Sequence, residues 1–456
     1  MDFIKLWIET ALYPAMALLK GNRTRAYIKE LKRTQNASPE RLKELRDTRL
    51  RALLLHCIDH VPAYRPQADL RDEIQRDPQA ALPRFPILTR AAFKADPDSF
   101  LADNIDPAAR IANRTGGSTT GEPIKFFMDR VTVEHYEAAR WRGLSWWGVT
   151  PGSRSVMLWG NPLDLAESQR VSYIRREKLM KNRVVLSAFD IRESDMPKHV
   201  AFLNSYRPEY IYGYATPLNA FAAILLKLGL SLSFTPKIVL STSETLLPHY
   251  KENLEAAFGC PVVNEYGARD GGIIAFTAPC GKLHVNVENA VFETVDLAAG
   301  CGVSPGESGA VVVTDFFNYV QPRVRYLLGD MAAISDQPCG CGSVLPVMER
   351  LDGRLDDMFV GPDGKLFWSW IFTQLARTWA PDSIAEFQVI QYSPTRAELK
   401  IVAVPGGPSE PLEKFITESK AVLPDSDFAI SIVDEIPKTA SGKTRYAVRK
   451  FDLEGL

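Results

Sequence analysis

Apolar and polar positions divide the chain into three textures. Between Met1 and Lys20 the apolar residues are Phe3, Ile4, Leu6, Trp7, Ile8, Leu12, Met16, Leu18 and Leu19, interrupted by Lys5, Glu9 and Pro14. That spacing predicts a helix packed on the body, because a spanning helix needs about 20 largely uninterrupted apolar residues. No small-residue cleavage site follows a short apolar core. A peripheral lipid contact through Lys5, Lys20, Arg23 and Arg25 is the lesser reading. Residues 21–110 are charged and helical in pattern, with loops at Val61-Pro62-Ala63-Tyr64 and between Pro83 and Pro86. From Ile111 short apolar runs alternate with helical stretches, among them Ser155-Val156-Met157-Leu158-Trp159, Lys237-Ile238-Val239-Leu240 and Ala310-Val311-Val312-Val313-Thr314. Alternation of this kind predicts α/β layers. A last segment of roughly 100 residues follows Asp352-Gly353-Arg354 and holds a strand pattern at Ala397-Glu398-Leu399-Lys400-Ile401-Val402-Ala403, a small domain in its own right.

Length sharpens this division. At 456 residues the chain exceeds one ordinary core, so two or three domains are expected. The expected architecture is a large multi-layer α/β domain over 1–352, with 1–110 helical, and a small α/β lid over 353–456. A formal net charge of −1 argues against a nucleic-acid partner, which calls for a basic excess. The six cysteines of an intracellular chain this long read as metal ligands or buried thiols before disulfides, and cytoplasm is the expected compartment. No Gly-x-Ser-x-Gly elbow supports a serine hydrolase.

The sharpest local signal is Arg114-Thr115-Gly116-Gly117-Ser118-Thr119-Thr120-Gly121-Glu122-Pro123. Its glycines allow close backbone approach, and its hydroxyls and amides can cradle phosphate oxygens. Glu122 and Pro123 stand where a Walker loop has Lys and Ser/Thr, so it is not a P-loop. By itself the segment reads equally as a polar turn. Four more segments follow it: Asn264-Glu265-Tyr266-Gly267-Ala268-Arg269-Asp270, Arg325-Tyr326-Leu327-Leu328-Gly329-Asp330, Gly353-Arg354-Leu355-Asp356-Asp357, and the loop from Pro437 to Lys443. In order, spacing and content the five resemble the adenylate-forming superfamily of acyl-CoA synthetases, peptide-synthetase adenylation domains and luciferases, from about Asn113 to Arg449. Tyr212-Gly213-Tyr214, Ser241-Thr242-Ser243-Glu244-Thr245, Val312-Val313-Thr314-Asp315 and Pro322-Arg323-Val324-Arg325-Tyr326 resemble the phenylacetate–CoA ligase-like branch, which includes CapK-like proteins of capsular polysaccharide synthesis.

The resemblance implies an enzyme that joins a carboxylic acid to AMP with release of pyrophosphate, then transfers the acyl group. It implies that Thr115, Gly116, Gly117, Ser118, Thr119, Thr120 and Gly121 hold the phosphates of ATP. Tyr266 would stack on adenine, and Glu244 and Gly267 belong to the same nucleotide set. Asp330 would accept hydrogen bonds from the ribose hydroxyls, with Arg354 nearby. Asp270 takes the place of the usual Mg²⁺-binding Glu, on a shorter arm. Lys443 would be the catalytic cation, its ammonium stabilising charge that builds on the α-phosphate and the attacking carboxylate. Asp356 matches the hinge about which the lid turns.

The cysteines add a second constellation. Cys280, His284, Cys339 and Cys341 supply three thiolates and an imidazole, the donor set of a closed structural zinc site. Some members of the same branch carry such a site. The alternative is four residues without a metal. Cys57, Cys260 and Cys301 read as ordinary thiols. For the acceptor, CoA comes first; an amine, a sugar or a carrier-protein thiol is the alternative, because Met358-Phe359-Val360-Gly361-Pro362-Asp363-Gly364 departs from the commoner CoA-ligase pattern. A catalytically silent relative is the third reading, disfavoured by the presence of Lys443, Asp330 and the phosphate loop. Trp141, Trp146, Trp147 and Tyr136 fall on a helix near the expected acid pocket, where core packing is the plainer role for each.

Overall fold

Strands flanked by helices on both faces must be apolar along their whole length, and three such strands form the centre of the molecule. The computed structural model describes residues 3–115, 124–159, 167–188, 191–297, 299–335, 337–355, 358–364, 366–381, 383–437 and 446–451. An antiparallel pair, β1 (Ile111–Arg114) and β2 (Lys125–Met128), opens the strand sequence. Next come β3 (Ser155–Trp159), β4 (Arg183–Ser187), β5 (Tyr210–Tyr214), β6 (Ile238–Thr242) and β7 (Val262–Ala268). These five pair in parallel, in the order β4-β3-β5-β6-β7. Every residue of β6 is buried, as is all of β3 and β5 but the last residue of each.

Beyond β7 the sheet turns antiparallel. It continues through β8 (Gly272–Thr277), β9 (Leu283–Val285), β14 (Val347–Arg354), β13 (Tyr326–Ser335), β12 (Ser308–Asp315), β10 (Ala290–Asp296) and β11 (Cys301–Gly302), twelve strands in all. The large core packs this half against the helix Pro39–His60 through Leu50, Leu53 and Leu54. A second core, with Val156, Ile211 and Val239, lies beneath the helices Met196–Tyr206, Ala215–Lys227 and Pro248–Phe258. The helical N-terminal portion is sewn onto the sheet where Leu88 exchanges backbone hydrogen bonds with Arg325 and Leu327 at 2.9 and 3.0 Å. Arg325 turns the chain there in a left-handed conformation, φ +50°, held by Glu293 and by the carbonyls of Pro83 and Phe85.

The last part of the chain has its own core. A ribbon of β15 (Met358–Val360) and β16 (Leu366–Trp368) precedes a four-stranded sheet of β17 (Ile384–Ser393), β18 (Arg396–Ala403), β19 (Asp427–Ile432) and β20 (Ala447–Arg449), ordered β19-β18-β17-β20. Phe359, Phe372, Val389, Leu399 and Phe415 are buried together between that sheet and the helices Trp370–Trp379 and Ser409–Val422. The α/β class with a large N-terminal and a small C-terminal part is therefore as expected, and all four expected strands are present. The last strand of the large sheet runs through Arg354, two residues past the expected division.

Candidate functional site

Ligands of open α/β sheets bind beyond the carboxyl ends of the parallel strands, near a change in strand order. Here the strand order reverses between β3 and β5, and at β7 parallel pairing with β6 gives way to antiparallel pairing with β8. Tyr266 and Gly267 lie there, and the turn into β8 carries Asp270. Gly272 opens β8 at φ +77°, and the Tyr136 ring lies 2.5 Å from where its Cβ would be, so only glycine fits. Gly267 is similarly close to the Gly272 carbonyl, 2.9 Å from a Cβ position.

Asp330, on β13, is the centre of the polar network. It is opposite Arg354 of β14 in the sheet register, and Arg354 Nη1 donates to its Oδ1 at 3.2 Å. Tyr266 Oη donates to Oδ2 at 2.9 Å. Gly329 leaves room for this arrangement: at φ +80°, a Cβ would lie 3.1 Å from the Arg354 guanidinium. Burial raises the Asp330 pKa, and Arg354 and Tyr266 oppose that shift. Each carboxylate oxygen has two lone pairs, so a vicinal diol can still be accepted beside both donors.

Asp270 forms the second half of the network. Its Oδ2 accepts from Tyr326 Oη at 3.0 Å and lies 3.8 Å from Arg90, while its carbonyl accepts from Arg323 at 2.9 Å. Arg323 stacks over Phe126 and Tyr326, and its Nε and Nη1 are buried with no partner among the described residues. The approach of Arg90 to this carboxylate, and the hold of Arg323 on the Asp270 carbonyl, were not assigned from sequence. Pro322-Arg323-Val324-Arg325-Tyr326 had marked the segment, but nothing in it announced that Tyr326 and Arg323 would converge on Asp270.

Other expected residues surround this centre. Thr115 is buried and its hydroxyl accepts from Ile124 N at 2.9 Å, closing the root of the Gly/Ser/Thr loop. Arg269 donates to the Arg114 carbonyl at 3.3 Å, so that root lies beside the turn carrying Asp270. Glu244 follows β6 and accepts from Thr216 N at 2.8 Å. Ser243 before it is left-handed, at φ +64°. Trp159, Tyr212 and Tyr214 stack across the ends of β3 and β5, centroids 5.7 and 4.1 Å from Trp159. Gly116 to Gly121, Asp356 and Lys443 lie outside the described residues. Core packing, the plainer role expected for the tryptophans, is what they show: Trp141 is core, with Trp146 and Trp147 packed against it, Trp147 donating to the Thr277 carbonyl and Trp146 meeting His284 edge to face.

Cys280, His284, Cys339 and Cys341 converge, with all four ligand atoms within 4.8 Å of one another. Cys280 Sγ is 3.7 Å from Cys339 Sγ, and His284 Nε2 is 3.5 Å from both Cys280 Sγ and Cys341 Sγ. A tetrahedral zinc ion with the usual bond lengths requires S···S of about 3.8 Å and S···N of about 3.5 Å. His284 Nδ1 lies 3.0 Å from the Leu345 carbonyl, to which it donates; that fixes the tautomer and leaves the Nε2 lone pair facing the thiols.

With this geometry in place, the relatives become informative. A model of the CapK C-terminal domain matches residues 359–450. Protein CapK of Staphylococcus aureus is 24% identical over 375 residues, covering 82% of this chain and 81% of that protein. Phenylacetate–coenzyme A ligase of Thermus thermophilus is 23% identical over 332 residues, covering 70% and 72%. Among solved structures, 2-hydroxyisobutyryl-CoA ligase in the postadenylation state with 2-HIB-AMP superposes with a TM-score of 0.65 at 17% identity, over 93% of this chain and 92% of that one. The fold, the ordered motifs and these relatives together support an adenylate-forming protein. Within that superfamily, the chain is similar to the CapK-like branch.

Proposed function

We propose that this protein is an ATP-dependent ligase that converts a carboxylic acid to acyl-AMP, releases pyrophosphate and transfers the acyl group to the thiol of CoA. The observation that carries the reading is the Tyr266–Asp330–Arg354 network beyond the end of β7, with Asp270 alongside. Asp330 holds the two ribose hydroxyls, and the Tyr266 ring provides an apolar face for adenine. Asp270 supplies a hard oxygen to Mg²⁺, its carboxylate positioned by the hydrogen bond from Tyr326 to Oδ2. Thr115 to Gly121 receive the phosphates. Lys443, from the small C-terminal domain, neutralises charge as the carboxylate attacks the α-phosphorus. 2-Hydroxyisobutyryl-CoA ligase solved with 2-HIB-AMP supports an acyl-adenylate intermediate, and the same enzyme solved with 2-HIB-AMP and CoA supports the acceptor. An amine, sugar or carrier-protein thiol remains the second reading of the acceptor, favoured by the CapK likeness.

The division of the chain belongs to the same proposal: 1–352 bind nucleotide and acid, 353–456 form the moving lid, and Asp356 is the hinge. The Trp159–Tyr212–Tyr214 stack beside Glu244 favours an aryl or other apolar acid. Zinc at the Cys280–His284–Cys339–Cys341 cluster is structural, because four protein ligands leave no open position.

Pyrophosphate release over a panel of acids, with and without CoA, tests the reading. Release that depends on the acid, with a thioester formed only when CoA is present, is expected. Asp330→Asn should weaken ATP binding at least about tenfold in calorimetry, since a charge-assisted hydrogen bond contributes about 1.5–3 kcal/mol. Full nucleotide affinity in that variant would remove the ribose role and the assignment built on it.

A further inference from the structure

The first helical segment is built inside out. Its two charged side chains before Lys20 face the body: Lys5 Nζ donates to Ser153 Oγ at 3.2 Å and to both oxygens of Glu209 at 3.0 and 3.1 Å. Glu9 accepts from Thr150 Oγ1 at 2.6 Å. Ile8 is wholly buried and seats over Gly152, where a side chain would meet it at 3.2 Å. The hydrophobic residues are on the outside instead. Phe3, Leu6, Trp7, Leu18 and Leu19 are 76, 45, 46, 85 and 86% exposed. Thr10, Ala11 and Ala15 complete the described part of that face, and the Thr10 hydroxyl is turned back on the Leu6 carbonyl at 2.7 Å. A π turn at Ile8–Leu12, between the α-helical stretches Phe3–Trp7 and Tyr13–Lys20, takes up extra chain and keeps Leu18 and Leu19 in line with Phe3 and Trp7. No described residue of this face is charged.

A basic surface follows at once. The helix Thr24–Thr34 buries Thr24, Tyr27 and Leu31 and turns Arg25, Lys29, Lys32 and Arg33 to solvent, with Arg23 exposed just before it. None of the five side chains has a carboxylate partner among the described residues, although the Arg23 backbone N–H donates to Glu134. The one acid of this helix, Glu30, is paired with Arg49.

We propose that residues 3–33 dock the protein on the surface of an anionic lipid bilayer. Phe3, Leu6, Trp7, Leu18 and Leu19 enter the boundary of the acyl region, and the five cations lie among the headgroups. Charge decides the occupant. A second copy of this chain on a two-fold axis would bring the same basic surface against itself, whereas an anionic bilayer satisfies the apolar face and the cations together. An indole at the rim suits the headgroup level. The attachment is peripheral, since no described helix is long and apolar enough to cross a membrane.

Co-sedimentation of the full chain with phosphatidylcholine vesicles containing about one-third phosphatidylserine tests this. The protein should pellet with them, and about tenfold less should bind pure phosphatidylcholine vesicles or the anionic ones at roughly 0.5 M salt. The double variant Leu18→Glu, Leu19→Glu should lose binding to both vesicle types, with melting temperature and pyrophosphate release unchanged. Arg25→Glu with Lys29→Glu should lose only the preference for anionic lipid. No pelleting with either vesicle overturns the proposal. So does a wild-type dimer in light scattering that the leucine variant dissociates, which would give the face to a second copy.

Discussion

His135 shows how one residue records the cost of its surroundings. It is buried between Tyr27 and Phe317, with ring centroids 3.8 and 3.4 Å away, and its Nδ1 has no hydrogen-bond partner among the described residues. Burial, with Arg49 and Arg23 adding to it, pushes its pKa down to about 3. The unfolded chain protonates this imidazole near 6.5. Between those values the unfolded state binds more protons, so stability is fully present above about pH 6.5 and is lost as pH falls toward 3. Asp330, Asp315 and Glu293 run the other way, because burial raises their pKa values and protonation relieves the cost. Replacing the histidine isolates its own contribution. His135→Phe keeps both stacking contacts and removes the unpaired nitrogen. Urea unfolding should show it at least as stable as wild type at pH 7, and its loss of stability between pH 7 and pH 4 should be smaller by roughly 2–3 kcal/mol. Equal losses in the two proteins would mean that His135 is protonated in the folded state.

At the scale of elements, the Cys/His cluster joins two connections of the antiparallel half-sheet. Cys280 lies in the turn between β8 and β9, His284 on β9, and Cys339 and Cys341 in the connection from β13 to β14. Pairing of β9 with β14, His284 opposite Val347, brings the two together. An ion bound there ties the frame next to Asp330 and Arg354 without taking part in their chemistry. The purified protein should contain about one zinc per chain. Cys339→Ser should lower zinc content and melting temperature together, while pyrophosphate release per folded molecule persists. A zinc-free protein of full stability and activity would reduce the cluster to four ordinary side chains. The grouping of these four residues was legible because three cysteines and a histidine fall on two short segments with glycines beside the cysteines. Why the two halves meet was not, because the β9–β14 pairing spans residues about sixty apart and leaves no local pattern. Core packing was the plainer reading of Trp146 and is what it does, but its contact with His284 depends on that distant pairing.

For the molecule as a whole, legibility followed the range of the interactions. Two of the five parallel strands, β3 and β6, were readable because burial on both faces makes each a short apolar run between helices. The antiparallel half was less so: β13 and β14 mix polar and apolar positions and change register with each other at Met331/Ala332 and Ala333/Ile334. The site divided likewise. Tyr266, Asp270, Asp330 and Arg354 were named from ordered motifs, while Arg323, Arg90 and Tyr326 became visible only when strands far apart in sequence closed around Asp270. The small C-terminal part has its own core, centred on Phe359, Phe372 and Phe415. That property is what the proposed two-step reaction requires. In that proposal Lys443 would be at the α-phosphate for acyl-AMP formation, and the acceptor would approach the same carbonyl for transfer. A lid hinged at Asp356 would serve both by presenting different faces in turn. Lys443→Ala should therefore reduce acyl-AMP formation by at least about a hundredfold, the scale of removing one oriented charge from a transition state. Transfer to CoA from supplied acyl-AMP should fall much less, because the lysine has left the site by then. Rapid-quench measurement of each half-reaction separates the two. Equal loss in both would mean that Lys443 stays at the site throughout, and the turning lid would have to be given up.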